Sequence, residues 1–374
     1  MNKIKLLDTT LRDGEQTAGV VFSKDEKVYI AQMLDEVGIE QIEVGIPAMG
    51  KEEKDAIKAI VKKNLSASLI GWNRANIEDI KHSIDCGLNA VAISIPTSDI
   101  HIEHKLKSTR EKVMDTMISV VEFSKKMGLY VSINAEDASR SDDQFLLEFF
   151  KIAEKLGADR VRVSDTLGIL NPISTYNKVT KLKESLNIAL EVHTHNDLGM
   201  ATGNAIAGAM AGADYLSVTV NGLGERVGNA AMEEVIMALK YSLEMDVNYD
   251  VSKCKGLCEF VSMASNRTIP DWKAITGKKI FYHESGIHVD GVLKNPLTYE
   301  VMDFKELGLE RGIVIGKHSG KATIKYKLEQ LTKKSVDEDT LSNILALVRS
   351  TAISLKRSLK DRELLDIYEN LIIQ

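Results

Sequence analysis

Two histidines separated by a single residue, His193 and His195, are the side chains whose spacing points most directly to chemistry. On a β-strand, side chains two positions apart project from the same face, so both imidazoles can bind one divalent metal ion. The same spacing also occurs on strands whose polar face simply meets solvent. The pair therefore indicates a metal site only if other suitable residues converge on it.

The composition of the 374-residue chain is that of an ordinary globular protein, with 44% hydrophobic and 27% charged residues. A formal net charge of -6, with lysine and arginine spread along the chain, argues against nucleic-acid binding. We find no apolar run near the roughly 20 residues that span a bilayer, and no signal peptide at the start. We expect a cytoplasmic protein without membrane or nucleic-acid partners.

Short β-rich segments recur through the first 225 residues, and most are separated by helical patterns ending in glycine. Eight such units in series favour an α/β fold, a closed (β/α)8 TIM barrel, over an open doubly wound sheet. No Gly-x-Gly-x-x-Gly motif follows the first strand, which counts against dinucleotide binding. The predicted strands are 4–7, 41–46, 67–70, 90–95, 130–134, 160–164, 190–195 and 215–220.

The remainder of the chain is predicted to be a small, mainly helical C-terminal region. Leu341, Ile344, Leu345, Leu347 and Val348 follow the spacing of an apolar helix face. We predict a catalytic barrel over 1–270, a linker subdomain over 271–320 and a helical subdomain over 321–374.

A barrel carries its catalytic residues just after the strands, at their C-terminal ends. Polar residues stand at these positions after strands one, five, six and eight, and at the end of strand seven. A loop or capping role is the ordinary explanation for any one of them, but their coincidence predicts one site. The residues that matter for the chemistry are Arg12, Asp13, Glu136, His193 and His195.

The residue types at this mouth suit a Lewis-acid site. Asp13, His193 and His195 supply one carboxylate and two imidazoles, which leave positions open on a bound metal. Arg12 offers a cation for a developing oxyanion or a substrate carboxylate, and Glu136 is the carboxylate best placed to abstract a proton. This set fits carbon-carbon bond chemistry at an α-keto acid. The ligand types suit Mn, Mg, Co, Fe or Zn.

Several long motifs resemble those of the 2-isopropylmalate and homocitrate synthases. They are Leu11-Arg12-Asp13-Gly14-Glu15-Gln16, His193-Thr194-His195-Asn196-Asp197-Leu198-Gly199, and the segments 221–229, 283–291 and 316–320. The resemblance covers nearly the whole chain. It implies a metal-dependent Claisen condensation, in which acetyl-CoA adds its methyl carbon to a 2-oxo acid before the thioester is hydrolysed. Mg or Mn is the metal that the family implies.

The resemblance also implies roles for individual residues. Asn229 would lie near or on the metal, and Arg12 would stabilise the ketone oxygen as it becomes an alkoxide. Gln16 and Thr166 would bind the keto acid. Glu136 and His288 would share the proton transfers, with support from Tyr299.

The segment that carries His288 bears on the oligomeric state of the protein. Without the family, this histidine would be taken as structural. In similar enzymes the segment crosses to the partner subunit, which implies a homodimer with shared active sites. The long C-terminal domain that confers leucine feedback on 2-isopropylmalate synthases is not seen, so we expect no inhibition through it.

The choice of 2-oxo acid rests on fewer residues. Segments 16–19, 43–50 and 72–75 resemble the nitrogen-fixation type of homocitrate synthase, which acts on 2-oxoglutarate. Lysine-pathway homocitrate synthases tend to carry a histidine near Asn73 and an arginine near Ser132, and neither is present. Arg74 or Arg140 is therefore predicted to bind the distal carboxylate, although both are equally compatible with solvated surface arginines.

Other functions stay open at this point. Pyruvate, oxaloacetate and 2-oxoisovalerate are alternative substrates for the same condensation. A metal-dependent C-C lyase is the nearest enzyme of another class. A regulatory protein that kept the barrel but lost catalysis is disfavoured, because all the expected site residues are present.

Overall fold

The computed structural model describes residues 4–373, which form two compact units, 4–269 and 270–373. The first unit is built on a closed barrel of eight parallel strands in sequence order, which confirms the predicted fold class. The strands are β1 Lys5–Asp8, β2 Gln41–Glu43, β3 Ser68–Arg74, β4 Ala90–Pro96, β5 Tyr130–Glu136, β6 Arg160–Asp165, β7 Ala189–Thr194 and β8 Tyr215–Val218.

Helices follow the strands and surround the barrel, as the predicted series requires. Their boundaries carry the expected signals: a capping box joins Ser23 to Glu26 at one N-terminus, and Gly38 ends the same helix in the left-handed region with φ 95°. The helices of this unit are α1 Lys24–Val37, α2 Lys51–Val61, α3 Ile77–Asp85, α4 Arg110–Lys126, α5 Asp143–Lys155, α6 Pro172–Ser185, α7 Ala201–Met210, α8 Met232–Tyr241 and α9 Val251–Ala264.

Several strand ends differ from the prediction. β3 extends to Arg74 because residues 71–74 pair with 91–94 of β4, whereas β2 ends at Glu43 instead of residue 46. The apolar pattern marks which residues are buried, but pairing with neighbouring strands decides where a strand ends.

Charged side chains fill the middle of the barrel, where aliphatic layers are usual. Arg162 contacts both Glu43 and Glu191, and Arg160 contacts Glu191, with nitrogen-oxygen distances of 2.6–3.1 Å. Arg12 extends this network toward the C-terminal mouth through a 2.7 Å contact with Glu43. All these side chains are buried. Each arginine is thus matched to a carboxylate, as a charge in a low-dielectric interior requires.

Asp8 is a buried carboxyl group whose neighbours do not offset the cost of burying its charge. Burial raises its pKa to about 7, although the amide and hydroxyl of Thr10 donate hydrogen bonds to it. A raised pKa means that the folded state holds this proton longer than the unfolded chain. The stability from the group is complete below the unfolded pKa near 3.8 and is lost as the pH rises through about 7.

We therefore expect Asp8→Asn to remove one component of the pH dependence of stability. The free energy of unfolding of the wild type should fall relative to that of the variant by up to about 1.4 kcal/mol per pH unit between pH 4 and 7. Urea unfolding at several pH values measures the difference. A difference that does not change with pH would contradict the assignment.

The second unit contains a small parallel pair of strands and four helices. The elements are β9 Tyr282–His283, α10 Gly286–Lys294, β10 Gly312–Ile313, α11 Lys321–Thr332, α12 Glu338–Leu355 and α13 Asp361–Ile373. Leu341, Ile344 and Val348 are buried in its core, as predicted, whereas Leu347 is 42% exposed. A division of this unit at residue 320 stays a prediction. None of the helices within 4–373 has the length and apolar character to cross a membrane.

Candidate active site

The histidine pair and Asp13 meet at the C-terminal mouth of the barrel. His193 lies on β7, and His195 follows the strand in an isolated bridge with Asn229. The two Nε2 atoms are 3.2 Å apart, and they lie 3.3 and 3.8 Å from Asp13 Oδ2. One ligand atom from each residue falls within 4.8 Å of the others. The three residues that the sequence predicted as metal ligands thus form one compact set of donor atoms, called here the donor set.

The protonation of this donor set fits a divalent cation. Burial, reinforced by the neighbouring His193, lowers the pKa of His195 to about 4, so its imidazole is neutral at pH 7. Burial alone would raise the pKa of Asp13, but Arg12 and both histidines outweigh it and hold the pKa well below its ordinary value. An ionised carboxylate and imidazole nitrogens that face each other are what a metal needs as ligands.

Asn229 adds an oxygen beside this group. Its Nδ2 donates to Asp13 Oδ1 and to the Leu223 carbonyl, both at 3.1 Å. Its Oδ1 is buried and accepts no hydrogen bond from the residues within 4–373. A buried oxygen without a donor is costly unless something else satisfies it. A cation held by the Asp13, His193 and His195 atoms would do so, and the residues present therefore fit the predicted metal.

Gly224 leaves room for this amide. A Cβ added there would collide with Asn229 Nδ2 and approach Asp13 Oδ1 to 3.1 Å. We expect Gly224→Ala to displace Asn229 and to weaken metal binding by about 10- to 100-fold, the usual effect of disturbing groups that support metal ligands. Isothermal titration with Mn²⁺ measures this. Gly256→Ala on α9, whose Cβ would meet only Met33 Cε at 3.9 Å, is the control. Equal affinities would contradict the role of Gly224.

Arg12 is fixed by carboxylates on two sides. Its Nη1 donates to Asp13 at 2.8 Å and to Gln16 at 3.3 Å, and its Nε donates to Glu43 at 2.7 Å. Burial works against its charge, but Glu43 and Asp13 raise its pKa above the ordinary value. The guanidinium is therefore a permanent, oriented cation beside the donor set. The segment that carries it is held by a 2.8 Å contact between Lys27 and Glu15.

Glu136 ends β5 at the same mouth, where two cations or potential cations approach it. Its Oε1 lies 2.6 Å from Lys105 Nζ and 3.2 Å from His101 Nδ1. Both partners belong to a single π-helical turn, His101–Lys105, that follows β4. Sequence reasoning did not identify this turn as part of the site. Its signal was a histidine and a lysine four residues apart soon after a barrel strand.

A cavity of about 220 Å³ opens between these groups. Thr166, predicted to bind substrate, lines it, and its hydroxyl accepts a 2.8 Å hydrogen bond from the Asp137 amide. Of the predicted site residues, Arg12, Asp13, Gln16, Glu136, Thr166, His193 and His195 line this cavity. Glu225 and Arg226, from the predicted polar segment after strand eight, line it as well. Sequence reasoning missed six further lining residues: Trp72, Ser94, Lys105, Asn134, Arg162 and Ser164.

Arg74 and Arg140 do not line this cavity. Arg74 pairs with Asp79 through both Nε and Nη2, at 2.8 and 2.9 Å, and its side chain is 68% exposed. Arg140 pairs in the same way with Asp137, three residues before it. Nearby carboxylates thus engage both guanidinium groups, although Arg74 lines an adjoining cavity with Trp72 and Glu136. The predicted role of either arginine in binding a distal carboxylate stays a prediction.

His288 and Tyr299 lie together in the second unit. Their rings stack with centroids 4.1 Å apart, and the His283 ring lies 6.5 Å from that of His288. Glu300 accepts hydrogen bonds from Arg311 at 2.8 and 2.5 Å and contacts His283 at 3.1 Å. His288 and Tyr299 are therefore in contact, and the catalytic role of each stays a prediction.

Comparison with known proteins matches most of the chain to two family models. Residues 3–261 match the HMGL-like family, and residues 275–356 match the homocitrate synthase post-HMGL domain-like family. The chain is 57% identical to 2-isopropylmalate synthase 2 of Caldanaerobacter subterraneus subsp. tengcongensis, over 99% of this chain and 96% of that protein. It is 49% identical to homocitrate synthase 1 of Nostoc sp., over 98% and 97% of the two chains.

A solved structure shows the same fold. The HMG-CoA lyase of Bacillus subtilis superposes with a TM-score of 0.65 at 18% identity, over 72% of this chain and 96% of that one. The comparisons confirm the resemblance to 2-isopropylmalate and homocitrate synthases and do not single out one of the two. With a family model covering most of its length and relatives near half identity, the chain belongs to the HMGL-like family.

Proposed function

We propose that the protein is a metal-dependent acyltransferase that condenses acetyl-CoA with a 2-oxo acid and then hydrolyses the thioester. The observation that carries the proposal is the convergence of Arg12, the donor set and Glu136 on one cavity. The names of the two relatives, a 2-isopropylmalate synthase and a homocitrate synthase, support this class of reaction.

The residues of the chain account for the steps of such a reaction. A bound divalent metal, Mg or Mn by family expectation with Zn or Co as alternatives, would supply Lewis-acid polarisation of the ketone. Glu136 takes a proton from the acetyl methyl group, and that carbon forms the new bond to the ketone carbon. Arg12 stabilises the negative charge that develops on the ketone oxygen. Gln16 and Thr166 orient the acid.

The reaction ends with protonation of the new alkoxide and hydrolysis of the thioester, and both steps require a proton transfer. The ketone oxygen takes up a proton and becomes a hydroxyl group, and water then cleaves the thioester to release CoA and a carboxylic acid. We assign one of these proton transfers to His288, assisted by Tyr299. We infer that this pair belongs to the site of the partner subunit in a homodimer, as the family resemblance implies. Mixed Asp13→Asn and His288→Ala subunits should then regain activity on co-refolding, and no recovery would argue against sharing.

We propose 2-oxoglutarate as the 2-oxo acid, which makes the product homocitrate. The cavity is lined mainly by polar side chains, among them Ser94, Asn134 and Ser164. Such a lining suits a second carboxylate better than an isopropyl group, since buried polar groups need partners. A role in nitrogen fixation is an expectation from the resemblance, and a cytoplasmic location is an expectation from the sequence. 2-Isopropylmalate synthase is the second candidate, because a relative at 57% identity carries that name.

The test is CoA release by the metal-supplemented protein, with 2-oxoglutarate, 2-oxoisovalerate, pyruvate and oxaloacetate supplied in parallel. Turnover favouring 2-oxoglutarate is the expected result. Preference for 2-oxoisovalerate would retain the mechanism and make the protein a 2-isopropylmalate synthase. No CoA release with any of the four acids would contradict the condensation and favour a C-C lyase.

A further inference from the structure

We propose that Arg162 and Asn134 bind the distal carboxylate of the 2-oxo acid at the floor of the cavity and so select dicarboxylic substrates. The inference rests on the proposed condensation and names the recognition element of its acid substrate. It assigns this role to the barrel interior, instead of to the surface arginines Arg74 and Arg140.

The strand register places the two residues below the donor set. Ser164 on β6 pairs with His193 on β7, and Arg162 pairs with Glu191, two residues nearer the start of the strand. Side chains on one face of a strand are separated by about 6.6 Å along it. On the other side of β6, Arg162 pairs with Asn134 of β5. Both therefore lie one layer beneath His193, on the inward face, and both line the cavity.

Asn134 has a donor to spare, and its hydrogen bonds fix which end of the amide is free. Arg160 Nε donates to Ser132 Oγ at 3.1 Å, so the serine hydroxyl proton is available to Asn134 Oδ1, 2.9 Å away. The amide oxygen is thereby identified as an acceptor. Asn134 Nδ2 is buried and finds no acceptor among residues 4–373. An unpaired buried N–H group is costly and indicates an absent acceptor.

Arg162 has a donor to spare as well. Its Nη2 donates to Glu43 at 3.1 Å, and its Nε lies 2.6 Å from Glu191. The hydrogen bond and ion pairs of Arg162 use Nη2 and Nε, and within residues 4–373 the buried Nε meets no acceptor in hydrogen-bond geometry. The guanidinium is held rigidly by two carboxylates while one of its donor groups stays available at the cavity. A carboxylate is the acceptor that best matches a guanidinium and an amide N–H together.

The neighbouring carboxylates do not preclude a further anion. Glu43 is shared between Arg162 and Arg12, and Glu191 is shared between Arg162 and Arg160. Each is thus neutralised from two sides. Together with Asp13, the network contains three arginines and three carboxylates, so it carries no net negative charge.

The test compares acids with and without the distal carboxylate in two matched variants. Arg162→Gln removes the proposed recognition group, whereas Arg140→Gln removes an arginine that pairs with Asp137 and does not line the cavity. We expect Arg162→Gln to lower kcat/KM for 2-oxoglutarate by about 30- to 100-fold, mainly through KM, and that for pyruvate by less than about 5-fold. Arg140→Gln should change both substrates alike.

Two further variants keep the test decisive if Arg162→Gln does not fold. Arg162→Lys keeps the charge but not the forked donor, and Asn134→Ala keeps the charge network intact. Each should lower the ratio of 2-oxoglutarate to pyruvate kcat/KM by about 10-fold. An unchanged ratio in these variants would overturn the assignment.

Calorimetric binding of 2-oxoglutarate to the Mn²⁺-supplemented protein separates this inference from the proposed reaction. Weaker binding to the Arg162 and Asn134 variants than to the wild type supports the carboxylate site even if no CoA is released. Equal binding to all of them overturns it, whatever the outcome of the turnover assay. A wild type that releases CoA only with monocarboxylic acids and does not bind 2-oxoglutarate would overturn it too.

Discussion

Replacing His195 with alanine is expected to abolish turnover, with a loss of at least about 1000-fold in kcat, and to weaken metal binding by at least about 100-fold. The reason is geometric: the His195 Nε2 atom lies 3.2 Å from that of His193 and 3.8 Å from Asp13 Oδ2, and no other imidazole within 4–373 joins this donor set. CoA release measures the first effect, and titration with Mn²⁺ measures the second.

The fold should survive this change. With a pKa of about 4, His195 is neutral at pH 7, and its Nδ1 has no hydrogen-bond partner among residues 4–373. Removal of the ring therefore leaves no buried charge unpaired. His104→Ala is the matched control, because His104 lies on the π-helical turn with 71% of its side chain exposed. Full activity of His195→Ala would contradict the metal site. Global unfolding of the variant would contradict the expectation that the fold does not depend on His195.

The second large effect is expected for Glu136→Gln, which should lower kcat by about 100- to 10,000-fold, the range for loss of a general base. Glutamine has the shape of glutamate and can still accept the hydrogen bond from Lys105, now 2.6 Å from Oε1. What it lacks is the capacity to take a proton. Steady-state CoA release measures the loss of turnover, and exchange of the acetyl-CoA methyl protons in D2O reports on the abstraction itself.

Metal affinity distinguishes the two variants. Glu136 is not a member of the donor set, so Glu136→Gln should bind Mn²⁺ as the wild type does. Glu103→Gln controls for loss of a carboxylate near the mouth, since Glu103 lies on the same turn as His101 and Lys105 with 77% of its side chain exposed. If Glu136→Gln retained full turnover with normal methyl exchange, the base would have to be another group.

The fold could be predicted because its signals are local. Each strand and helix has its own pattern, and a glycine at the end of most helices precedes the next strand, so repetition alone indicates a barrel. Strand ends were less accurate, as β3 shows, because pairing with β4 determines its length. The apolar stripe of α12 was identified apart from Leu347, whose exposure depends on what packs around the helix.

The sequence by itself was enough to identify the site residues whose type and spacing indicate their chemistry, such as the pair His193 and His195. It also held an unused signal: stepping back two positions from these residues along the strand reaches Glu191, and stepping back from Glu136 reaches Asn134. Only the tertiary structure decided which of the many charged residues face the cavity. Asp13 meets the histidines because closure of the barrel pairs β1 with β8, next to β7.

The same reason explains why Arg162 was missed and the surface arginines were preferred. An arginine at the end of a strand looks available in the sequence, but Asp79 and Asp137, only five and three residues away, engage Arg74 and Arg140. An arginine in the middle of a buried strand looks improbable as a ligand-binding group until Glu43 and Glu191 are seen to compensate its charge. The burial of Arg162 depends on partners more than 20 residues away, and only the folded chain brings them together.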